Sequence, residues 1–381
     1  MQRLAPLFLF NVIFGAMEFL LPIKFSEAHA SIAMTAVLFS VISVCSIVLD
    51  IPSGKLSDRI GRERLIAYSM VMVVGASLIL YFSDSLVTFF IAAALFGISY
   101  GLNWSPLLAL IGDGSDETRG AAFGRFVRIL SLGEGIAPLI VAAIIIYFRT
   151  NASFLLVAGI AVLCLILILR EPRKTPEVPA EADVHFSYRN TLRLFRESLP
   201  MNLFLVIMGF FVAFFWESVW FTQPLIGFYE NTVLDSAIIV AAFAIPSILF
   251  SDILGKAIDR FGEKRVFLSS ATLSVISFLA FYLSVSLVAK VTAVFFAAIG
   301  VLGIWLVMDV LTARLHAPAE RGEFFGILET VRDIAYLVSP LFIAFTYKFI
   351  GLDGIFAVNA GAALLLLAWG FLVFRNNRAR S

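Results

Sequence analysis

The chain has 381 residues, of which 61% are hydrophobic and 14% charged, with a formal net charge of +1. A water-soluble domain is roughly half apolar and about a quarter charged, so this composition excludes an ordinary soluble fold and leaves a membrane protein. The net charge says almost nothing about partners, because the distribution of charge matters here and its sum does not. The two cysteines, Cys45 and Cys164, sit inside apolar runs and provide neither a disulfide framework nor a thiolate metal site.

Apolar stretches long enough to cross about 30 Å of hydrocarbon fall near 5–25, 33–52, 65–83, 86–111, 121–147 and 152–169. Six more follow near 201–225, 235–252, 266–284, 287–312, 323–347 and 353–374. The first carries Glu18 and lacks a convincing cleavage site, so it reads as a retained span and not as a signal peptide. Asn151-Ala152-Ser153 has the form of a glycosylation acceptor, a triplet common by chance. The expected fold is all-α and integral to the membrane, with twelve transmembrane helices in two six-helix bundles related by pseudo-twofold symmetry. The expected division is 1–169 for the first bundle, 170–200 for a cytoplasmic linker and 201–381 for the second bundle. The linker is rich in Pro, Glu and Ala, and His185–Glu197 within it could form a short amphipathic helix.

Lys and Arg set the orientation. With the N-terminus inside, the cytoplasmic segments hold 21 basic residues and the outer ones only Lys24, Arg149 and Lys348. Both termini are then cytoplasmic, in the plasma or bacterial inner membrane.

The halves repeat. Gly54, Asp58, Arg59 and Gly61 match Gly255, Asp259, Arg260 and Gly262 at an offset of 201. Arg119-Gly120, Phe123-Gly124 and Pro138-Leu139 match Arg321-Gly322, Phe325-Gly326 and Pro340-Leu341 at 202. An even number of spans per half makes these parallel repeats about an axis along the membrane normal. Two such bundles facing a midplane cleft are suited to alternating access. Gly54 and Gly61 are read as permitting a tight turn between spans two and three. Asp58 is a short acceptor for helix N–H groups or an arginine, and Asp50 lies on a similar face. Basic residues such as Arg62 could equally serve only to enforce topology.

This duplicated Gly-x-x-x-Asp-Arg-x-Gly segment resembles the signature loop of the major facilitator superfamily, and the resemblance covers essentially the whole chain. In the later copy Lys264 and Arg265 complete the pattern; in the earlier one Glu63 departs from it. The resemblance implies that Asp58 docks on the start of span eleven, around Gly322–Gly326, and latches the cytoplasmic side. Span five, with Gly124, Gly133 and Pro138, resembles the motif of the drug:proton antiporter branch. Ala137 and Val141-Ala142 replace its usual glycines. That branch usually carries an arginine in span four. Here there is none, so Arg125 or Arg128 substitutes, or coupling runs differently or is absent.

Charges at membrane depth are costly and tend to face cavities or partners. Glu18 is read as the leading proton carrier, with Glu134 and Glu217 next as proton or cation sites; each could also be structural. Asn11, Tyr100, Asn103, Trp104, Trp216, Trp220, Gln223 and Trp305 are candidate substrate contacts, since an apolar wall with a few polar anchors suits amphiphilic organic molecules. Arg125, Arg128, Glu329, Arg332 and Asp333, placed in the first turns of spans five and eleven, and Asp309 near the inner end of span ten, are read as gating ion pairs. Lys290 is expected to snorkel.

The expected function is a proton-coupled secondary exporter of small hydrophobic or amphiphilic compounds. The alternatives are an uptake symporter or uniporter, a lipid or lysolipid translocator, and, least favoured, a receptor that moves nothing. Expected partners are the small-molecule substrate, protons and membrane lipids, with no nucleic acid, and the chain is expected to act as a monomer. No cofactor, metal site or catalytic unit is expected: there is no GxxxxGK[ST] loop, and His29, His185 and His316 are scattered.

Overall fold

Among the described residues, three helices end at a glycine of positive φ: Gly61, Gly262 and Gly351. In the computed structural model α1 spans Leu4–Glu27, α2 Ile32–Ile60, α3 Arg62–Phe82, α4 Leu86–Gly112, α5 Arg119–Tyr147 and α6 Thr150–Arg170. The second set is α7 Leu199–Tyr229, α8 Val233–Phe261, α9 Glu263–Leu283, α10 Leu287–Leu315, α11 Pro318–Ile350 and α12 Gly354–Asn377. The structure describes the backbone of residues 4–112, 119–170, 199–316 and 318–377, and within them all side chains except those of 4, 50, 51, 54, 55, 57–59, 104–112, 119–127, 318–323, 376 and 377. The linker expected at 170–200 therefore lies, beyond its ends, outside the described residues.

All twelve helices are long and apolar enough to cross a membrane. The protein is all-α, and its helix contacts fit two six-helix sets. α3 packs on α4 and α6, and α9 packs on α10 and α12, the same pairing six helices further on. α1 lies against α5 and α6, and α2 against α4.

The duplicated segment is helical over most of its length. α2 continues through Gly54 and Asp58 to Ile60, and α8 through Gly255 and Asp259 to Phe261. The turn is made by a single residue in each copy. Gly61 has φ 95° and ψ 137°, and Gly262 has φ 82° and ψ 155°. That region is essentially closed to residues bearing a Cβ, which is why glycine stands at both places. Gly255 needs no such freedom, because it lies inside α8 and its φ is not positive. Each following helix carries an acid in its first turn, Glu63 in α3 and Glu263 in α9, where the helix dipole favours it. That accounts for the acidic departure in the earlier copy.

Small residues let helices touch, as expected where lipid supplies no hydrophobic drive between them. A Cβ on Gly15 would lie 2.9 Å from the Glu134 backbone, and one on Gly133 would lie 2.8 Å from Asn11 Cβ. Positions rise together along α1 and α5, so these two odd-numbered helices run parallel. α2 and α4 do likewise through Gly97 and Gly101, whereas Gly300 and Gly303 of α10 meet Ser274 and Ser270 of α9 in antiparallel order. This is the alternation that successive crossings require.

Gly101→Ala tests the packing argument. Its Cβ would sit 2.8 Å from the Ser46 carbonyl oxygen and 2.9 Å from Leu49 Cβ. Overpacking of about 1–3 kcal/mol outweighs the helix-propensity gain of about 1 kcal/mol, so thermal unfolding in detergent should move down. Gly159→Ala, where nothing lies within 4 Å, should leave it unchanged or raise it.

By contact density the chain forms two compact units. One gathers α1–α6 with Trp220–Ile248 and Pro340–Phe345; the other gathers α7 up to Val219, Leu249–Ser339 and the chain from Thr346 onward. α7, α8 and α11 each pass from one unit to the other, and each carries an internal proline, Pro224, Pro246 and Pro340. The last two lie within two residues of the passage.

Candidate functional site

In the first unit the close approach of α1 and α5 places polar side chains deep in the packing. Asn11 is fully buried; its Nδ2 donates to the Leu7 carbonyl at 2.8 Å, and its Oδ1 has no partner. Glu134, backbone to backbone with Gly15, is 5% exposed, and its Oε2 is buried without a hydrogen bond. Glu18 lies one turn beyond Gly15 on the same stripe of α1, half-buried and engaged. Phe14 stacks on Tyr100 at 4.8 Å and on Phe96 at 6.3 Å. That stack fixes the face of α4 on which Asn103 follows Phe96 and Tyr100 at helical spacing. Asn103 is buried, and neither of its amide atoms has a partner. From α7, Trp220 and Gln223 belong to the same unit and are also buried, with the indole N–H and both amide atoms unpaired.

The second unit holds a tighter cluster. Arg332 on α11 is 5% exposed, and its guanidinium carbon lies 4.9 Å from the centre of the Trp305 ring on α10. Its Nη2 pairs with Glu329 Oε1 at 3.0 Å, one turn back, while its Nε has no partner. The Trp305 indole N–H donates to the Asp309 carboxylate one turn further along α10, and Asp309 Oδ1 is buried without a bond. Trp216 of α7 meets Trp305 edge-on at 6.3 Å. Tyr336, half-buried, follows Arg332 one turn further along α11.

This cluster joins two groups that the sequence reading kept apart, the aromatic substrate contacts and the gating charges. The placement of the charges changes as well. α11 begins at Pro318, so Arg332 stands fourteen residues in, about 21 Å along the axis at ~1.5 Å per residue. It is a mid-helix residue and not one of the first turns. Arg128, exposed, is nine residues into α5. Tyr336 escaped the sequence reading, although it follows Arg332 at helical spacing on an apolar helix. The side chains of Asp50, Gly54, Asp58, Arg59, Trp104 and Arg125 lie outside the described residues.

At the chain turns the ion pairs are local. Arg314, at the end of α10, meets Glu263 and lies 3.6 Å from Asp259, while Arg260 sits 5.2 Å over Phe261. Arg62 is half-buried at the start of α3 and engaged. At the opposite helix ends Lys24 is buried, paired with Asp84 and donating to Asn151 Oδ1 at 2.6 Å. Lys290 does not snorkel: it is buried, 2.6 Å from Asp353 and over the Phe281 ring. Asn151 and Asp353 occupy matching positions at the repeat offset of 202, so each half offers a buried lysine an oxygen at the start of its last helix.

Twelve apolar helices in two packed sets, with charged and amide groups buried at mid-helix, define a multi-pass integral membrane protein. The profile of the Major Facilitator Superfamily matches residues 6–237 and 205–381, and the chain belongs to that family. Among its relatives, the multidrug resistance protein MdtG of Proteus mirabilis is 24% identical over 91% of this chain and 87% of its own. The multidrug resistance protein MdtL of Shewanella oneidensis is 28% identical over 69% of this chain and 67% of its own. In three dimensions the nucleoside transporter NupG superposes with a TM-score of 0.77 at 13% identity, covering 98% of both chains. The protein is thus a secondary transporter of small molecules, and its task is transport rather than catalysis.

Proposed function

We propose that the protein is a proton-coupled exporter of small hydrophobic or amphiphilic organic compounds, of the drug:proton antiporter branch, working by alternating access. The observation that carries this reading is a deeply buried carboxyl group on a membrane-spanning helix of each unit, Glu134 and Glu217, both 5% exposed. Ionisable groups at such depth are costly and are retained for a task. Glu18, Glu134 and Glu217 are the proton-coupling residues in this reading. Trp216, Trp220, Gln223, Tyr100, Asn103 and Asn11 are substrate contacts. A buried amide without a partner costs on the order of 1–3 kcal/mol, and an organic substrate with hydrogen-bonding groups would relieve it. The names of the multidrug relatives support export and a broad substrate range. The excess of Lys and Arg in alternate connections supports cytoplasmic termini, with bodies 1–169 and 201–381 joined by 170–200.

The test is flux in proteoliposomes with an imposed pH gradient. Lipophilic probes should move toward the acidic compartment, and a protonophore should abolish the movement. Flux of the same size with either sign of gradient, or none, would replace this reading with a uniporter.

A further inference from the structure

Arg332 is a cation buried in the middle of α11. Its guanidinium lies over the Trp305 ring at 4.9 Å and pairs with Glu329 at 3.0 Å. Trp305 in turn donates to Asp309, whose second oxygen is buried and unmatched. Two carboxyl groups border the Trp305 face: Glu329, which pairs with Arg332 one turn along α11, and Asp309, which accepts from the indole N–H one turn along α10. An aromatic face beside carboxylates is the recognition chemistry of an organic cation. Here the chain's own guanidinium fills it. The fit is incomplete, since Arg332 Nε and Asp309 Oδ1 both stay unpaired.

We infer that Trp305, Asp309 and Glu329, walled by Trp216, form a subsite for planar organic cations, and that Arg332 is a tethered competitor which a bound cation displaces. The inference rests on the transport reading for its purpose and names a substrate class for it. Displacement conserves charge at the site, because one cation leaves the Trp305 face as another arrives. Arg332 thereby sets a threshold: a weakly held cation fails to dislodge it, and a flat aromatic one succeeds. Neutral amphiphiles do not compete.

Binding of ethidium, a planar monovalent cation, to the purified full-length protein in detergent tests this by calorimetry, with naphthalene sulfonate as the anionic probe. Arg332→Gln should tighten ethidium about tenfold, the size of one desolvated cation–aromatic contact. Trp305→Leu and Asp309→Asn should weaken it by a similar factor. Arg332→Lys, which keeps the charge but not the plane, should fall between the wild type and Arg332→Gln. Thermal unfolding of each variant establishes that it is folded. Unchanged or weaker ethidium binding in folded Arg332→Gln overturns the inference, as does loss of naphthalene sulfonate binding, which would make Arg332 an anion anchor. No gradient is imposed, so an ethidium-binding protein that fails to drive export sinks the export reading and leaves this one standing.

Discussion

Replacing Glu134 with Gln is expected to cut pH-gradient-driven flux by about tenfold or more while leaving substrate exchange across the membrane measurable, as befits a protonatable group at membrane depth. Gln has the shape of the neutral acid but cannot carry a proton. The backbone of Glu134 touches Gly15 and its side chain is buried, so the isosteric change leaves the α1–α5 contact in place. Substrate exchange moves no net proton and reports whether the variant still binds and turns. Loss of both activities with an intact fold would make Glu134 a structural or binding residue instead. Full coupled flux would remove it from the mechanism. Glu18→Gln, measured alongside, ranks the two: the carrier is the position at which coupling disappears and exchange survives.

The second large effect concerns stability. Asp353→Ala should lower the unfolding free energy by about 2–4 kcal/mol, since it strands a buried cation. Lys290 is buried, and among the described residues the Phe281 ring is what remains to it. Asp84→Ala should cost less, about 1 kcal/mol. Asp84 is 69% exposed, where ion pairs are weak, and Lys24 keeps Asn151. Adding Lys290→Met to Asp353→Ala should recover most of the loss, because a buried pair removed whole is often near neutral. Thermal unfolding of the single and double variants in detergent reads the coupling. A cycle energy near zero would show that the pair bears no part of the fold.

The fold was legible because lipid imposes a simple rule. Every spanning segment must be a helix of about twenty apolar residues, so the count of twelve could be read from runs of Leu, Ile, Val and Phe. The paired Gly61 and Gly262 were legible as turns because a single glycine followed by charge ends each run. Gly54 misled, since α2 runs on through it as helix to Ile60. The candidate site was visible only in part. Trp216, Trp305, Asp309, Glu329 and Arg332 could each be picked out, but not their association. Apolar residues surround most of these helices on all sides, so no polar face marks which stripe looks inward. Depth failed for a related reason. The charged start of α11, from Pro318 to Glu323, has no apolar signature, and the apolar run begins only where the helix has already turned once or more. Lys24 and Lys290 look alike as lone lysines at span ends, and only their neighbours in space, an acid for each, show that they point inward.

Pro246 and Pro340 mark the places where α8 and α11 leave one compact unit for the other. A proline supplies no N–H, so the carbonyl one turn earlier has no rung to hold it. Bending there breaks no further backbone bond. Each rod is therefore most compliant at its proline, where a small bend is spread over a few peptide planes without unwinding the helix.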